Sequence, residues 1–483
     1  MALPARKQPP KTGKGDAAPL AAPRSAPAAA TPSPSPPPQE RPVRRVARGL
    51  KWLYPGMRVK RWLALIPVGL LLGILGVVVL ANIQVEDFQD RLAVLVARTL
   101  NLPLTLPVVY IPLGTILLLS GLLLVAWAVI GLNRSVIGVI APEYLDELPD
   151  VIHRNISLGR GANIVVIGGG TGLSTLLRGL KKRTSNLTAV VTMTDDGGSS
   201  GLLQKQMGGI PPPGDIRNCL VALAEAEPRM QELFQYRFAT RDGADGLSGH
   251  SFGNLLIAAL ADITGDFERA VEETSNILAI RGRVLPSTVE TVVLVGEMED
   301  GSEITGETSI AQDPARIRRI RLCPDAPRPL PAVLQAIREA DVIVMGPGSV
   351  FTSVVPNLLV PAIVDAVADA RAVKVYVCNV MTQPGETDGF TASDHLRAIE
   401  AHAGRRVCDH VLVNKALPSG ELLRRYNKTG AEPVIPDVEA ITAMGYRVIT
   451  GSFVSETVVV RHDPEKLAEA IFRLAGDRSL FAR

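Results

Sequence analysis

Two apolar runs without a charged residue stand out in the first third of the chain, from Trp62 to Val85 and between Arg98 and Arg134. Crossing a bilayer takes about 20 apolar residues in a helix. The pattern therefore predicts spans over residues 62–83 and 108–132, joined by a loop over 84–107. A cleaved signal peptide accounts less well for the first run, because a long tail precedes it and a second span follows. A buried soluble helix fits neither, since both runs are apolar on every face. In the loop, Phe88, Leu92, Leu95 and Val96 fall on one helical face, which predicts a short interfacial helix.

A linker over 133–161 follows, and from Ala162 onward the texture changes to short β-branched runs separated by amphipathic stretches. Strands are expected at Ile164–Gly168, Leu187–Met193, Val289–Val295, Asp341–Met345, Val373–Cys378, His410–Val413 and Arg447–Thr450. Helices are expected at Ser174–Lys182, Phe252–Asp262, Pro331–Ala340, Ala392–His402 and Pro464–Ala475. Strands alternating with helices imply parallel βαβ units in a doubly wound, mostly parallel α/β sheet. Two stretches depart from the rule: residues 219–280 read as almost wholly helical, and 283–322 as a small strand-rich insert with an antiparallel hairpin. A helical subdomain inserted between two halves of a sheet fits both.

Charge adds an orientation. Net charge over 483 residues is only +3, which speaks against a nucleic-acid partner, and aromatic residues make up 4%, too few for base stacking. Between Met1 and Arg61, however, thirteen Lys or Arg face two acidic residues. The loop 84–107 carries Arg91 and Arg98 against Glu86, Asp87 and Asp90. The positive-inside rule then places the N-terminal tail and everything after the second span in the cytoplasm, making a multi-pass protein of the cell membrane. Residues 1–48 hold twelve prolines among Ala, Ser and basic residues, a composition that cannot bury enough apolar surface to fold. They read as a solvated tail, or as an arm for anionic lipid or a proline-binding partner. The cysteines Cys219, Cys323, Cys378 and Cys408 lie far apart without a CxxC pair, which excludes a zinc knuckle or disulfide framework and fits a reducing compartment.

Candidate chemistry concentrates in loops that follow strands. The first strand breaks into Gly168, Gly169, Gly170, Thr171 and Gly172 before a helix, an arrangement that aims bare N–H groups at an anion. It is not the dinucleotide fingerprint, whose third glycine would fall on Leu173 or Thr175, and no GK[ST] follows to make a Walker loop. The second strand opens onto Asp195 and Asp196, then Ser199 and Ser200. These carboxylates can hold Mg²⁺ with substrate phosphates completing its shell, or can simply form the turn before Gly197. In GIPPPGDIRN, Asp215 either caps the next helix or joins Arg217 and Asn218 in facing a ligand. LSGHSFGN puts His250 and Asn254 at a helix mouth, where His250 is a ligand donor, a general acid or base, or a packing residue. Gly346, Gly348 and Ser349 follow one further strand and Asn379 another.

The series GGGTGLSTLLRGLK, TDDGGSSG, GIPPPGDIRN, LFQYRF, LSGHSFGNLL, GPGSVFTSVVPNLLV and NVMTQPGETDGFTASDH, over about residues 162–475, resembles the bacterial gluconeogenesis factors, a branch of the 2-phospho-L-lactate transferase family. The resemblance implies a Rossmann-like fold with an inserted helical subdomain. The transferase branch moves a phosphoacyl group from a guanosine diphosphate-linked donor to a deazaflavin hydroxyl with Mg²⁺. The gluconeogenesis-factor branch, which PPPGDIRN and QPGETDGFTASDH fit better, is associated with UDP-sugar binding, carbon metabolism and cell shape. Carried over, Gly169 to Gly172 and Gly346 to Ser349 line nucleotide phosphates. Asp195 and Asp196 sit near the transferred phosphate or metal. Asp215, Arg217, Asn218, His250 and Asn254 form the remaining wall. The expected ligand is a UDP-sugar or another nucleoside diphosphate, with a homodimer and an envelope-synthesis protein as expected partners. The hairpin and the tail lie outside the resemblance.

Overall fold

The five residues of β1 (Ile164–Gly168) are all buried, because the strand is covered on both faces. Ile164 and Val166 point into one apolar layer with Leu173, Leu176 and Leu220, while Val165 and Ile167 point into the other with Ile343, Val354 and Tyr376. Full burial of each such side chain contributes roughly 1.5–3 kcal/mol, which fixes β1 at the centre of the sheet. The computed structural model describes residues 59–81, 106–140, 148–225, 228–239, 246–417, 419–456 and 460–479. The tail and the helix expected in the loop 84–107 lie outside the described residues.

Among the described residues β1 belongs to a seven-stranded sheet with β2 (Leu187–Val191), β3 (Arg283–Pro286), β7 (Val342–Met345), β8 (Val373–Val377), β9 (His410–Asn414) and β10 (Arg447–Gly451). Its order is β10-β9-β8-β7-β1-β2-β3, and every pair in it is parallel. The chain winds outward from β1 to β3, then returns to β7 on the other side of β1 and winds the opposite way. The switch point therefore lies between β1 and β7, where an open α/β sheet forms a crevice at its C-terminal edge. The expected insert is present: helices Gly214–Leu223, Pro228–Gln235, Phe252–Thr264 and Phe267–Leu278 follow one another between β2 and β3. A second, antiparallel sheet is built from β4 (Val293–Met298), β5 (Glu303–Thr305) and β6 (Ile317–Cys323) in the order β5-β4-β6. The pair β11 (Val454–Glu456) and β12 (Val460–His462) is also antiparallel.

Two expectations are corrected here. The strand expected at Val289–Val295 begins only at Val293 and joins the small sheet, while Arg283–Pro286, assigned to the insert, completes the large one. Arg283–Pro286 is short and ends in proline, so it carries little periodic signal. The stretch expected as a linker is helical at both ends, since one helix runs Leu106–Ile140 and another Leu148–Gly159.

The chain divides into two units, Met1–Asp146 and Glu147–Arg483. In the first, helices Lys60–Leu80 and Leu106–Ile140 contain segments long and apolar enough to cross a membrane. They run antiparallel: Trp62 packs on Trp127 edge to face at 5.1 Å, and Gly76 lies against Leu118. A Cβ on Gly121 would fall 2.5 Å from the backbone nitrogen of Gly73, so the facing backbone leaves no room for a side chain at Gly121.

Candidate functional site

The loop after β1 turns at Gly170, whose φ of +65° suits glycine, and enters the helix Gly170–Leu180. It meets the loop after β7 so closely that a Cβ on Gly172 would lie 2.4 Å from the carbonyl oxygen of Pro347. The two glycine loops are thus one surface at the switch point. The N–H of Gly170 is donated to Asp215 Oδ2 at 2.6 Å, so the carboxylate sits where an anion was expected. Thr171 is exposed at the helix start.

Beyond β2 the two neighbouring aspartates part company. Asp195 Oδ1 accepts the N–H of Gly197 at 3.0 Å, and its Oδ2 lies 2.6 Å from the position of a Cβ on Gly214, beside Asp215. Asp196 turns away and accepts the N–H and the hydroxyl of Thr308 at 2.9 and 2.7 Å. There it caps the helix Glu307–Gln312, whose own N-cap, Gly306, has no side chain to do so. Ser200 Oγ accepts the N–H of Gly214 at 3.1 Å, and Ser199 Oγ meets His250 Nδ1 at 3.3 Å.

Arg217, 7% exposed, donates to Ser251 Oγ and, at 2.8 Å, to Asn218 Oδ1. Ser251 in turn caps the helix Phe252–Thr264. Arg217 Nε and Asn254 Oδ1 are buried without a hydrogen-bond partner among the described residues. His250 is 2% exposed. Arg217 and Asn218 lie beside Asp215 and favour its charged form.

After β7, Gly348 donates its N–H to Asn379 Oδ1 at 3.3 Å. Ser349 caps the next turn by accepting the N–H of Thr352 at 3.1 Å, and its hydroxyl donates to Glu386, which Gln383 also contacts. Thr194 Oγ1 donates to Glu307 Oε2 at 3.0 Å. Four carboxylates thus ring the crevice: Asp195, Asp215, Glu307 and Glu386. Burial, then the charge of Asp195, pushes Asp215 up to about 6 against the opposing Gly170 N–H. Burial raises Glu307 well above the usual carboxylate range, with Asp195 and Asp215 adding to it. Burial pushes Glu386 up to about 7 against its bond from Ser349.

A family profile described as 2-phospho-L-lactate transferase CofD matches residues 164–454. The chain belongs to the CofD family. A protein of Halalkalibacterium halodurans named gluconeogenesis factor is 54% identical over 310 residues, 64% of this chain and 95% of that one. The gluconeogenesis factor of Bacillus subtilis is 49% identical over 318 residues, 66% of this chain and 99% of its own. A Nostoc protein matches at 48% over 443 residues, 89% of this chain and 94% of that one. Among solved structures, a crystal structure of a Bacillus halodurans protein is similar at 53% identity and a TM-score of 0.62, covering 64% of this chain and 99% of that one.

In this CofD-family domain the expected loops after β1, β2, β7 and β8 do converge. Gly169, Gly170, Gly172, Asp195, Asp215, Gly348, Ser349 and Asn379 meet at the crevice, whereas Asp196 is committed to a neighbouring helix. Thr194, Glu307 and Glu386 had not been singled out. Glu386 lies in the QPGETDG string and was legible there, but Glu307 belongs to the small insert, and nothing local marks it as part of the site.

Proposed function

We propose that this CofD-family protein is a regulator of the gluconeogenesis-factor type that binds a UDP-sugar at the C-terminal ends of β1, β2, β7 and β8. The observation that carries the reading is the single surface made by the two glycine loops, where Gly172 lies against Pro347 at the switch point. The N–H groups that follow Gly170 in the first turn of the helix Gly170–Leu180 suit a diphosphate, and the helical wall with Arg217 suits the polar group beyond it. The names carried by the relatives of Halalkalibacterium and Bacillus support the regulatory role. The apolar helix pair supports tethering to the cell membrane, with tail and domain on the cytoplasmic face, where the ligand concentration would be coupled to envelope synthesis and cell shape.

Mg²⁺ fits the donor set. Asp195 and Asp215 are hard oxygen donors, and the negative charge of one raises the other, a repulsion that a cation relieves. Among the described residues no group of three or more His, Cys, Asp or Glu could hold an ion by itself. Such an ion would rely on Asp195, Asp215 and the ligand's phosphates, and would supply charge neutralisation to them. Calorimetric titration of the full chain in detergent with UDP-N-acetylglucosamine and UDP-glucose tests the reading. Saturable heat with Mg²⁺ is expected, and no heat at millimolar ligand would refute it.

A second reading, a Mg²⁺-dependent transferase on a nucleotide-linked donor, is favoured by the same Asp195–Asp215 pair. It predicts nucleoside monophosphate release that Asp195→Asn lowers more than it lowers binding.

A further inference from the structure

The edge of the sheet opposite the ligand crevice carries its own pattern. The helix Leu148–Gly159 packs there through Leu158, which is 6% exposed and whose carbonyl accepts the N–H of Ser185 at 3.0 Å. Asn186 fastens it further by donating to the carbonyls of Gly159 and Gly161 at 3.0 and 2.7 Å. Ile152 and Ile156, one helical turn apart, are nevertheless 47% and 51% exposed. Leu158 is the one buried side chain among those described in this helix, and the two aliphatic side chains on its other face are left in water.

Around them the same edge is basic. Arg154, Arg160 and Arg183 are exposed and form no ion pair among the described residues. Arg281 lies beside the helix, with Nη2 3.4 Å from Asn155 Oδ1, and pairs with Glu225. Lys182 pairs with Glu465. Between the starts of β1 and β2 opens a recess of about 330 Å³, lined by Asn163, Ser185, Asn186, Arg283 and Glu339 among others. Exposed aliphatics flanked by cations and a small polar recess match the boundary layer of a lipid surface, apolar at acyl depth and anionic at the headgroups.

Chain connectivity selects this occupant over a soluble one. Residue 148 follows the long apolar helix that ends at Ile140, and the seven residues between them reach at most about 25 Å when extended. Resting on the membrane reading of that helix, we propose that the edge formed by the helix Leu148–Gly159, Arg160 and Arg183 is a docking surface for anionic phospholipid. It would turn the N-terminal ends of the strands toward the bilayer, so that the ligand crevice opens into the cytoplasm. The hairpin would then act as an anchor, and this face would set the orientation.

The domain can be tested without its hairpin, because the Bacillus halodurans structure matched above consists almost entirely of the equivalent region. A fragment of residues 148–483 is mixed with phosphatidylcholine vesicles, with or without phosphatidylglycerol, and sedimented. The fragment should pellet with the anionic vesicles only, and less so as salt is raised. Arg160→Glu with Arg183→Glu should lower partitioning by about two orders of magnitude, and Ile152→Asp with Ile156→Asp should also reduce it. Both double variants should keep the thermal midpoint of the parent, since none of the four side chains is buried. A fragment that stays in the supernatant with anionic vesicles overturns the proposal, as does binding unchanged by the charge reversal. Carbonate extraction of membranes from cells making the full chain tests the tether separately. Retention in the pellet with a non-binding fragment leaves the anchor standing and removes only this face.

Discussion

Asp195 and Asp196 adjoin in the chain but differ in their spatial neighbours, and that difference sets opposite expectations for their substitution. Asp196 holds the start of the helix Glu307–Gln312 through Thr308, so Asp196→Ala should cost about 1 kcal/mol of stability and leave Mg²⁺-dependent ligand affinity nearly unchanged. Asp195→Asn should do the reverse. Denaturant melts and titration calorimetry on the same two proteins check this, and equal affinity losses would refute the division. Asp215 offers a pH test. Its folded-state value of about 6 lies above the ordinary carboxylate value of 3.8. The folded domain therefore binds its proton more tightly than the unfolded chain, and stability falls as pH rises through that window. The penalty is complete above about pH 6 and absent below the unfolded value. Asp215→Asn, which cannot ionise, should stabilise the ligand-free domain by about 2 kcal/mol at pH 8 in chelator, allowing for solvent in the crevice, and should have little effect near pH 4. Superimposable melts at pH 8 would show that Asp215 ionises in the fold as easily as outside it.

At the scale of elements, what was legible in the chain follows from how each element is stabilised. β1, β2, β7 and β8 are buried on both faces or nearly so and read as apolar β-branched runs. Their positions, and the polar loops after them, are visible without coordinates. β3 is a four-residue edge strand ending in Pro286 that relies on pairing with β2, and pairing leaves no periodic trace. The helix Gly198–Gln206 was missed for a related reason. It starts inside GGSSG, a turn-like string, and is held by Ser199 and Ser200 reaching the backbone at Ser251 and Gly214. The site shows the same split, since Asp195 and the glycines announce themselves whereas Glu307 arrives from another sheet. The two long apolar helices were legible in the sequence, but their packing was not. The facing backbone at Gly73 leaves no room for a side chain at Gly121, and Gly121→Leu should force the helices apart. In detergent, the SDS midpoint for loss of the Trp62–Trp127 fluorescence signature should drop, whereas Gly476→Ala, at a position with open space around it, should not move it. An unchanged midpoint for Gly121→Leu would mean that the helices are held by contacts elsewhere.

For the molecule as a whole, the acidic ring makes charge the variable that would govern entry of the proposed ligand. A nucleoside diphosphate brings negative charge to a crevice that already contains Asp195, Asp215, Glu307 and Glu386. At neutral pH part of that charge is neutralised by protons: Glu386 titrates near 7, Asp215 near 6, and Glu307 is raised well above its usual range. As pH rises from 6 to 8 the protons of Asp215 and Glu386 are lost, the crevice becomes more negative, and repulsion of a diphosphate grows. In chelator, affinity for a UDP-sugar should therefore weaken across that interval by about tenfold for each proton that must be taken up per pH unit. Binding should also consume protons, which calorimetry in buffers of different ionisation enthalpy measures directly. Millimolar Mg²⁺ should flatten the dependence, because a cation between Asp195, Asp215 and the phosphates replaces the protons as counter-charge. Glu386→Gln should flatten the upper part of the profile without Mg²⁺, since the amide is neutral at every pH and can still accept from Ser349. If affinity in chelator proves independent of pH and no proton uptake accompanies binding, the diphosphate does not enter among these carboxylates, and the ligand must lie elsewhere along the C-terminal edge of the sheet.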